Sequence, residues 1–296
     1  MTYQAFLQEL IPALKEVFPD EVEIEEKEIR KNNGIVRSAL LIHRPGVNIA
    51  PTVYPEDFYV HFLNNAPLAA VAQEIYDWYS SFEIRTGFDM EHFLDFSGMR
   101  SSIIFRLINM KRNYALLQDT PYIPFLDLAI TFECRMSSEE YGDGAILIRQ
   151  DLMRLWGVTK EDLYDAAKEN SLKEGNHEFC QLFYKLSEMT GLELPLSLAC
   201  GENRLYFLST GQPFHGAAVL LYPEVLAKVA DTLKEDYYII PSSIHEVLCV
   251  PVSEVSSGDW LTETLQEVNR TQVAEAEVLS DHIMLYSRTA GSLQLL

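Results

Sequence analysis

Ser242, Ser243, His245 and Glu246 crowd together in the run Tyr237-Tyr238-Ile239-Ile240-Pro241-Ser242-Ser243-Ile244-His245-Glu246-Val247-Leu248-Cys249-Val250-Pro251. A hydroxyl, an imidazole and a carboxylate are the groups that nucleophilic hydrolysis needs as nucleophile, general base and orienting acid. In a hydrolase, Ser242 or Ser243 would attack, His245 would take the proton and Glu246 would hold the ring. The spacing favours a plainer role. Ser243-Ile244-His245-Glu246 has the form of a capping box, in which Ser243 accepts from the Glu246 amide and Glu246 reaches back to cap Ser243. One helical turn between strands at 237–240 and 247–251 would then explain every polar residue except His245. No Gly-x-Ser-x-Gly elbow is present to expose a serine beside an oxyanion hole. The expectations rank as structural turn, binding surface and catalysis, in that order.

Metal and phosphate chemistry find less support. The seven histidines, at 43, 61, 92, 177, 215, 245 and 282, show no HxH or HExxH spacing. His245 and Cys249 lie four residues apart on a strand, ~13 Å at ~3.3 Å per residue, too far for one zinc ion. Neither GxGxxG nor GxxxxGK[ST] occurs. No metal and no cofactor is expected. Asp127, inside Phe125-Leu126-Asp127-Leu128, is a carboxylate in an apolar strand; facing inward it would meet a cation such as Arg106 or Arg149. Asn269, Thr271 and Gln272 sit at a helix end, where amides commonly satisfy free carbonyls. With residues 242–246, Asn269 and Gln272 would line any polar pocket.

The elements that position these groups read as hairpins and helices in blocks. Phe6, Leu10, Ala13, Leu14 and Val17 mark one face of a helix over 3–18, kinked or restarted by Pro12. Val22 to Glu25 and Ile35 to His43 form a hairpin, with Asn32-Asn33-Gly34 supplying the positive-φ turn. Helices start at Pro55 and after Pro67, the second placing Leu68, Val71, Ile75, Trp78 and Phe82 at steps of three and four. Ser102 to Met110 reads as a buried strand, and Phe125 to Arg135 pairs with Gly144 to Arg149 around Tyr141-Gly142-Asp143. Thr159 caps a helix with Asp162 at its third position. Residues 170–195 lack periodicity and read as an irregular or helical insertion. A strand to Ser209, a Gly211 turn, a central strand over Phe214 to Leu221 and a helix from Pro223 follow. A helix capped by Asp259 and a terminal hairpin across Arg288 to Gly291 close the chain. Gly144 to Leu152 and Gly216 to Leu226 raise the question of an internal duplication. The pattern predicts α+β architecture with mostly antiparallel sheets, in two modules at 1–118 and 121–296 that meet at Asp119-Thr120-Pro121.

Composition narrows the partners. Among 296 residues, 44 Asp and Glu oppose 23 Lys and Arg, a net charge of -21 that repels phosphate backbones. Lys111-Arg112 and Arg30-Lys31 are isolated basic pairs, so no nucleic acid is expected. Four cysteines without a CxxC pair, no secretory signal and no apolar run near ~20 residues point to a cytoplasmic protein without membrane association. Ile75, Trp78 and Phe82 exceed what a small hairpin covers, so that helix is the expected surface for a protein partner or self-association.

Tyr238 to Val247 also resembles an uncharacterised Firmicutes family, catalogued as domain of unknown function 5688. Further segments that carry the resemblance are Asn48 to Tyr54, Phe125 to Ala129, Trp156 to Thr159 and Asn269 to Val273. The C-terminal half is more distantly similar to a second uncharacterised Firmicutes family. The resemblance implies a bacterial protein and brings no activity. The expected function is a non-catalytic binding or interaction protein; the alternative is a hydrolase using Ser242 or Ser243 with His245 and Glu246.

Overall fold

The computed structural model describes residues 1–48, 50–82, 89–138, 142–172, 177–191, 204–212 and 214–296. Contacts divide the chain into two compact units: residues 1–31, 35–94 and 136–144 in the first, and 32–34, 95–135 and 145–296 in the second. Asp119-Thr120-Pro121, the expected boundary, lies inside the second unit.

In the first unit, Thr2 caps α1 (Tyr3–Val17) by accepting from the Ala5 amide. Pro12 does not break this helix. Pro12 and Gln8, whose carbonyl loses its partner, are both exposed, so water can take the place of the missing amide. An antiparallel sheet orders β1 (Glu23–Arg30), β2 (Val36–His43) and β3 (Thr52–Val53). Asn33 at φ 58° and Gly34 at φ 76° make the turn between β1 and β2. The helices α2 (Pro55–Leu63) and α3 (Leu68–Ser80) complete a core around Phe6, Leu10, Leu14, Leu40, Val71 and Ile75. Ile75 is fully buried there, so it cannot serve an interface. Trp78 is 38% exposed and packs edge-on against Phe58 and Phe82. A short helix α4 (Met90–Leu94) ends the unit's main span.

The other described strands form two antiparallel sheets, in the second unit except for residues 136–138 and 142–144. One pairs β4 (Ile103–Asn109), β5 (Ile123–Phe125) and β7 (Gly142–Leu147) with β6 (Leu128–Ser138). Short helices α5 (Phe96–Met99), α6 (Tyr114–Leu117) and α7 (Gln150–Trp156) flank these strands in sequence. α8 (Lys160–Leu172) begins as expected: Asp162 Oδ2 accepts from the Thr159 amide while Thr159 Oγ1 accepts from the Asp162 amide. The other sheet has the order β13-β12-β10-β11-β9-β8. Its members are β8 (Glu178–Gln181), β9 (Tyr206–Ser209), β10 (Tyr237–Ile240), β11 (Val247–Pro251), β12 (Met284–Ser287) and β13 (Ser292–Leu295). Alternation along β10 sends Tyr237 toward α10 (Pro223–Leu233), where its hydroxyl donates to the Leu226 carbonyl. Tyr238 and Ile240 point the other way, into a cluster with Leu261 and Leu265 of α11 (Gly258–Thr271). The architecture is α+β.

Several local readings need correction. Phe125 to Arg135 is not one strand: Leu126, at φ 54°, and Asp127 form a two-residue turn between β5 and β6. Gly216 to Leu221 is a 3₁₀ helix with all six residues buried, not a central strand; an apolar run alone cannot distinguish the two. The two segments suspected of duplication therefore differ, a strand before α7 and a 3₁₀ helix before α10. Within 170–195 lie the edge strand β8 and helix α9 (Leu182–Thr190), while 173–176 and 192–195 fall outside the described residues. Tyr141 of the expected hairpin turn also falls outside them. Ser257, not Asp259, caps α11 by accepting from the Trp260 amide.

Candidate functional site

The turn joining β10 to β11 carries the four hydrolase-like residues, and its hydrogen bonds assign them. Ser242 Oγ and Ser243 Oγ both donate to Glu246 Oε1, at 2.9 and 2.8 Å. Ser243 Oγ accepts from the His245 amide at 2.9 Å. The expected capping box is therefore replaced by a reverse turn, in which the Glu246 carboxylate gathers both hydroxyls instead of capping a backbone amide. The His245 ring faces elsewhere. It stacks on His215, centroids 6.0 Å apart and planes 13° apart, with Glu277 Oε1 4.0 Å from its Nε2. Nucleophile, base and acid are neighbours in sequence without forming a relay.

Behind His245 lies a set of charges that motif reading missed. Glu133 on β6 is buried, with Arg106 Nη1 of β4 at 2.6 Å and His215 Nε2 at 3.0 Å. The β4–β6 register opposes Arg106 to Thr131 and Ile104 to Glu133, setting the two charges diagonally across the ladder. Burial alone would raise the Glu133 carboxyl; the His215 hydrogen bond and the Arg106 charge outweigh it and hold it at about 2. Burial, then the neighbouring His215, pushes the His245 imidazole below its usual range, against the pull of Glu277 and Glu246. His215 itself sits at φ 56°, a left-handed conformation unusual for a side chain of its size. Gly216 follows under tight constraint: a Cβ there would lie 2.0 Å from Ser209 Oγ and 2.3 Å from the His245 carbonyl. The signals available in sequence were a histidine preceding a glycine and a glutamate within an apolar strand, each too common to single out.

Asn269 and Gln272 do not join the turn through hydrogen bonds. Asn269 is buried on α11 and donates to the Ser280 carbonyl and to Asp281 Oδ1, whose other oxygen receives Arg112. Gln272 is exposed at the helix end, its amide bonded to the Val268 carbonyl. Asp127 meets neither expected cation, since Arg106 pairs with Glu133 and Arg149 with Asp119. Instead Asp127 Oδ2 accepts from Ser280 Oγ and lies 3.2 Å from His282 Nδ1. The thiols of Cys134 and Cys249 are buried and pushed upward by that burial, Cys134 to about 12, so neither supplies a ready thiolate.

Concave surface appears on the other side of the turn. A groove of about 440 Å³ runs between α11 and strands β10 and β11, with Arg204 and Leu205, just before β9, also in its lining. Trp260, Thr264 and Val268 line its wall; Leu205, Ile240, Leu248 and Val250 also line it, together with the polar residues Arg204, Ser242 and Glu254. Of the site residues expected from the sequence, Ser242 alone lines this groove, its hydroxyl already bonded to Glu246. Trp260 is 55% exposed and Val268 39%, although Leu261 and Leu265 beside them are buried.

A family model matches residues 3–288. The chain belongs to DUF5688, a family of unknown function. No curated protein and no solved structure matches it. Among the described residues of this DUF5688 member, no helix is long and apolar enough to cross a membrane, and no three His, Cys, Asp or Glu side chains are grouped to hold a metal ion.

Proposed function

We propose that this DUF5688 chain is a cytoplasmic, non-catalytic binding protein that takes a protein partner in the α11 groove. One observation carries the reading: an apolar concavity of about 440 Å³ beside a half-exposed tryptophan, within the size range of ordinary binding pockets. Tryptophan in such a setting is the residue type most often found at energetic centres of interfaces. The groove replaces α3 as the favoured surface, because Ile75 is committed to its own core and Trp78 is the one large apolar residue exposed on that helix. The acidic surface argues against nucleic acid.

The hydrolase alternative needs a serine hydroxyl on the His245 imidazole. Both hydroxyls instead bond to Glu246, which supports the binding reading. Titrating the neutral apolar dye N-phenyl-1-naphthylamine tests the groove: fluorescence should rise with wild-type protein and lose most of that rise in Val268→Asp. Absence of binding, or binding indifferent to Val268→Asp, refutes the groove. Turnover on esterase, phosphatase or nuclease panels that scales with protein and vanishes in His245→Ala refutes the non-catalytic assignment.

A further inference from the structure

We propose that the partner element is an amphipathic helix with basic residues along its edge; this rests on the binding reading above. The strands beneath the groove decide against an extended peptide. The groove's lining strands β10 and β11 are each paired on both sides, while the free edges of the sheet are β8 and β13. An occupant here finds no unpaired ladder to extend and must satisfy its own backbone hydrogen bonds, as a helix does. The wall has the matching form. Trp260, Thr264 and Val268 recur every fourth residue and form an exposed stripe over about 12 Å, two turns of a docked helix.

The charge of the edge follows from the same helix. At 100° per residue, Glu267, Glu263 and Asp259 lie successively next to Trp260 on the side away from Leu261 and Leu265. All three are exposed. Glu254 lines the groove, and Arg204, the cation in its lining, is already engaged by Glu235 at 3.1 Å and Glu254 at 3.6 Å. Arg270 offsets one acid by pairing with Glu267. The rim thus keeps a carboxylate excess, which a lysine- or arginine-edged helix complements and an acidic one opposes.

The test uses the full chain and two designed peptides of about 18 residues, long enough to hold helix. Both carry leucines at i, i+3, i+4 and i+7; one has lysines flanking the stripe, the other glutamates. Fluorescence anisotropy should show binding of the lysine peptide, about tenfold or more weaker binding in Trp260→Ala and Val268→Asp, and weakening with salt. Val268→Asp adds negative charge, so nonspecific attraction would grow; a loss of affinity therefore reports the groove. Equal binding of the glutamate peptide, or lysine-peptide binding unchanged in both variants, overturns the proposal. Dye binding without peptide binding overturns the helix partner and leaves the binding reading standing. If neither binds, both fall.

Discussion

Glu133→Gln is the sharpest perturbation of the buried charge cluster, because it removes one charge and almost no volume. The Glu133 carboxyl moves from an ordinary 4.5 to about 2 in the folded chain. At about 1.4 kcal/mol for each tenfold change in proton affinity, the ionised form stabilises the fold by about 3 kcal/mol at neutral pH. A second route agrees: breaking a buried ion pair from one side costs about 3–5 kcal/mol, since Arg106 would be left without its carboxylate. The sign follows from the depressed folded value. Stabilisation is complete above 4.5, fades as pH falls below it and is gone below about 2; about 2 kcal/mol of it should be lost by pH 3. Denaturant titrations of wild type and Glu133→Gln should therefore differ by about 3 kcal/mol at pH 7, with the gap holding to about pH 5 and narrowing from there toward pH 3. A gap below about 1 kcal/mol at pH 7 would refute the reasoning, as would one that stays constant across this range.

The same region yields three further expectations. Gly216→Ala places a Cβ 2.0 Å from Ser209 Oγ and 2.3 Å from the His245 carbonyl, and should cost about 3 kcal/mol or more, with Ser209→Ala rescuing only part because the carbonyl is backbone; full rescue in thermal melts would contradict this. Ser243→Ala removes a donor to Glu246 and an acceptor for the His245 amide, and should cost about 1–2 kcal/mol in denaturant titrations, while a fluorophosphonate probe labels neither protein. His245 has a depressed affinity for protons, so its burial contributes most above the ordinary 6.5 and costs stability as pH falls through that value; His245→Gln should flatten the melting-temperature profile between pH 7 and about 5.5, and an unchanged profile would count against it.

Local geometry was legible where a residue acts on its immediate neighbours. Asn32-Asn33-Gly34 specified a turn because only glycine and asparagine enter the left-handed region cheaply, and the structure has them there. Thr159 and Asp162 specified a helix start because both cap bonds span three residues. The α+β class followed from hairpins alternating with amphipathic helices. Legibility failed where distance or burial decided. Gly216 to Leu221 is apolar at every position, so its sequence could not separate a strand from a buried 3₁₀ helix. Leu126 shows no turn chemistry of its own, yet holds φ 54°. The partnership of Arg106, Glu133 and His215 joins residues as many as 109 positions apart (215 less 106), and no local pattern announces such a meeting.

Residue classes alone left the hydrolase alternative standing, and the order of contacts bears on it. The second unit contains two sets with the composition of a hydrolase triad, and in both a carboxylate takes the serine directly. Ser242 and Ser243 donate to Glu246, and Ser280 donates to Asp127. In the second set the acid stands between serine and histidine, His282 Nδ1 lying 3.2 Å from the same oxygen. In a Ser-His-Asp relay the imidazole holds that middle place, taking the proton from the hydroxyl while the carboxylate orients the ring. A carboxylate there instead accepts a hydrogen bond in the ground state and holds the hydroxyl still. Both sets then act mechanically. Glu246 ties the 242–246 turn to itself, and Asp127 ties the β5–β6 turn to residues 280–282. The order of the contacts, which no spacing rule reveals, shows each carboxylate holding a turn and supports the proposal that the apolar groove takes the partner.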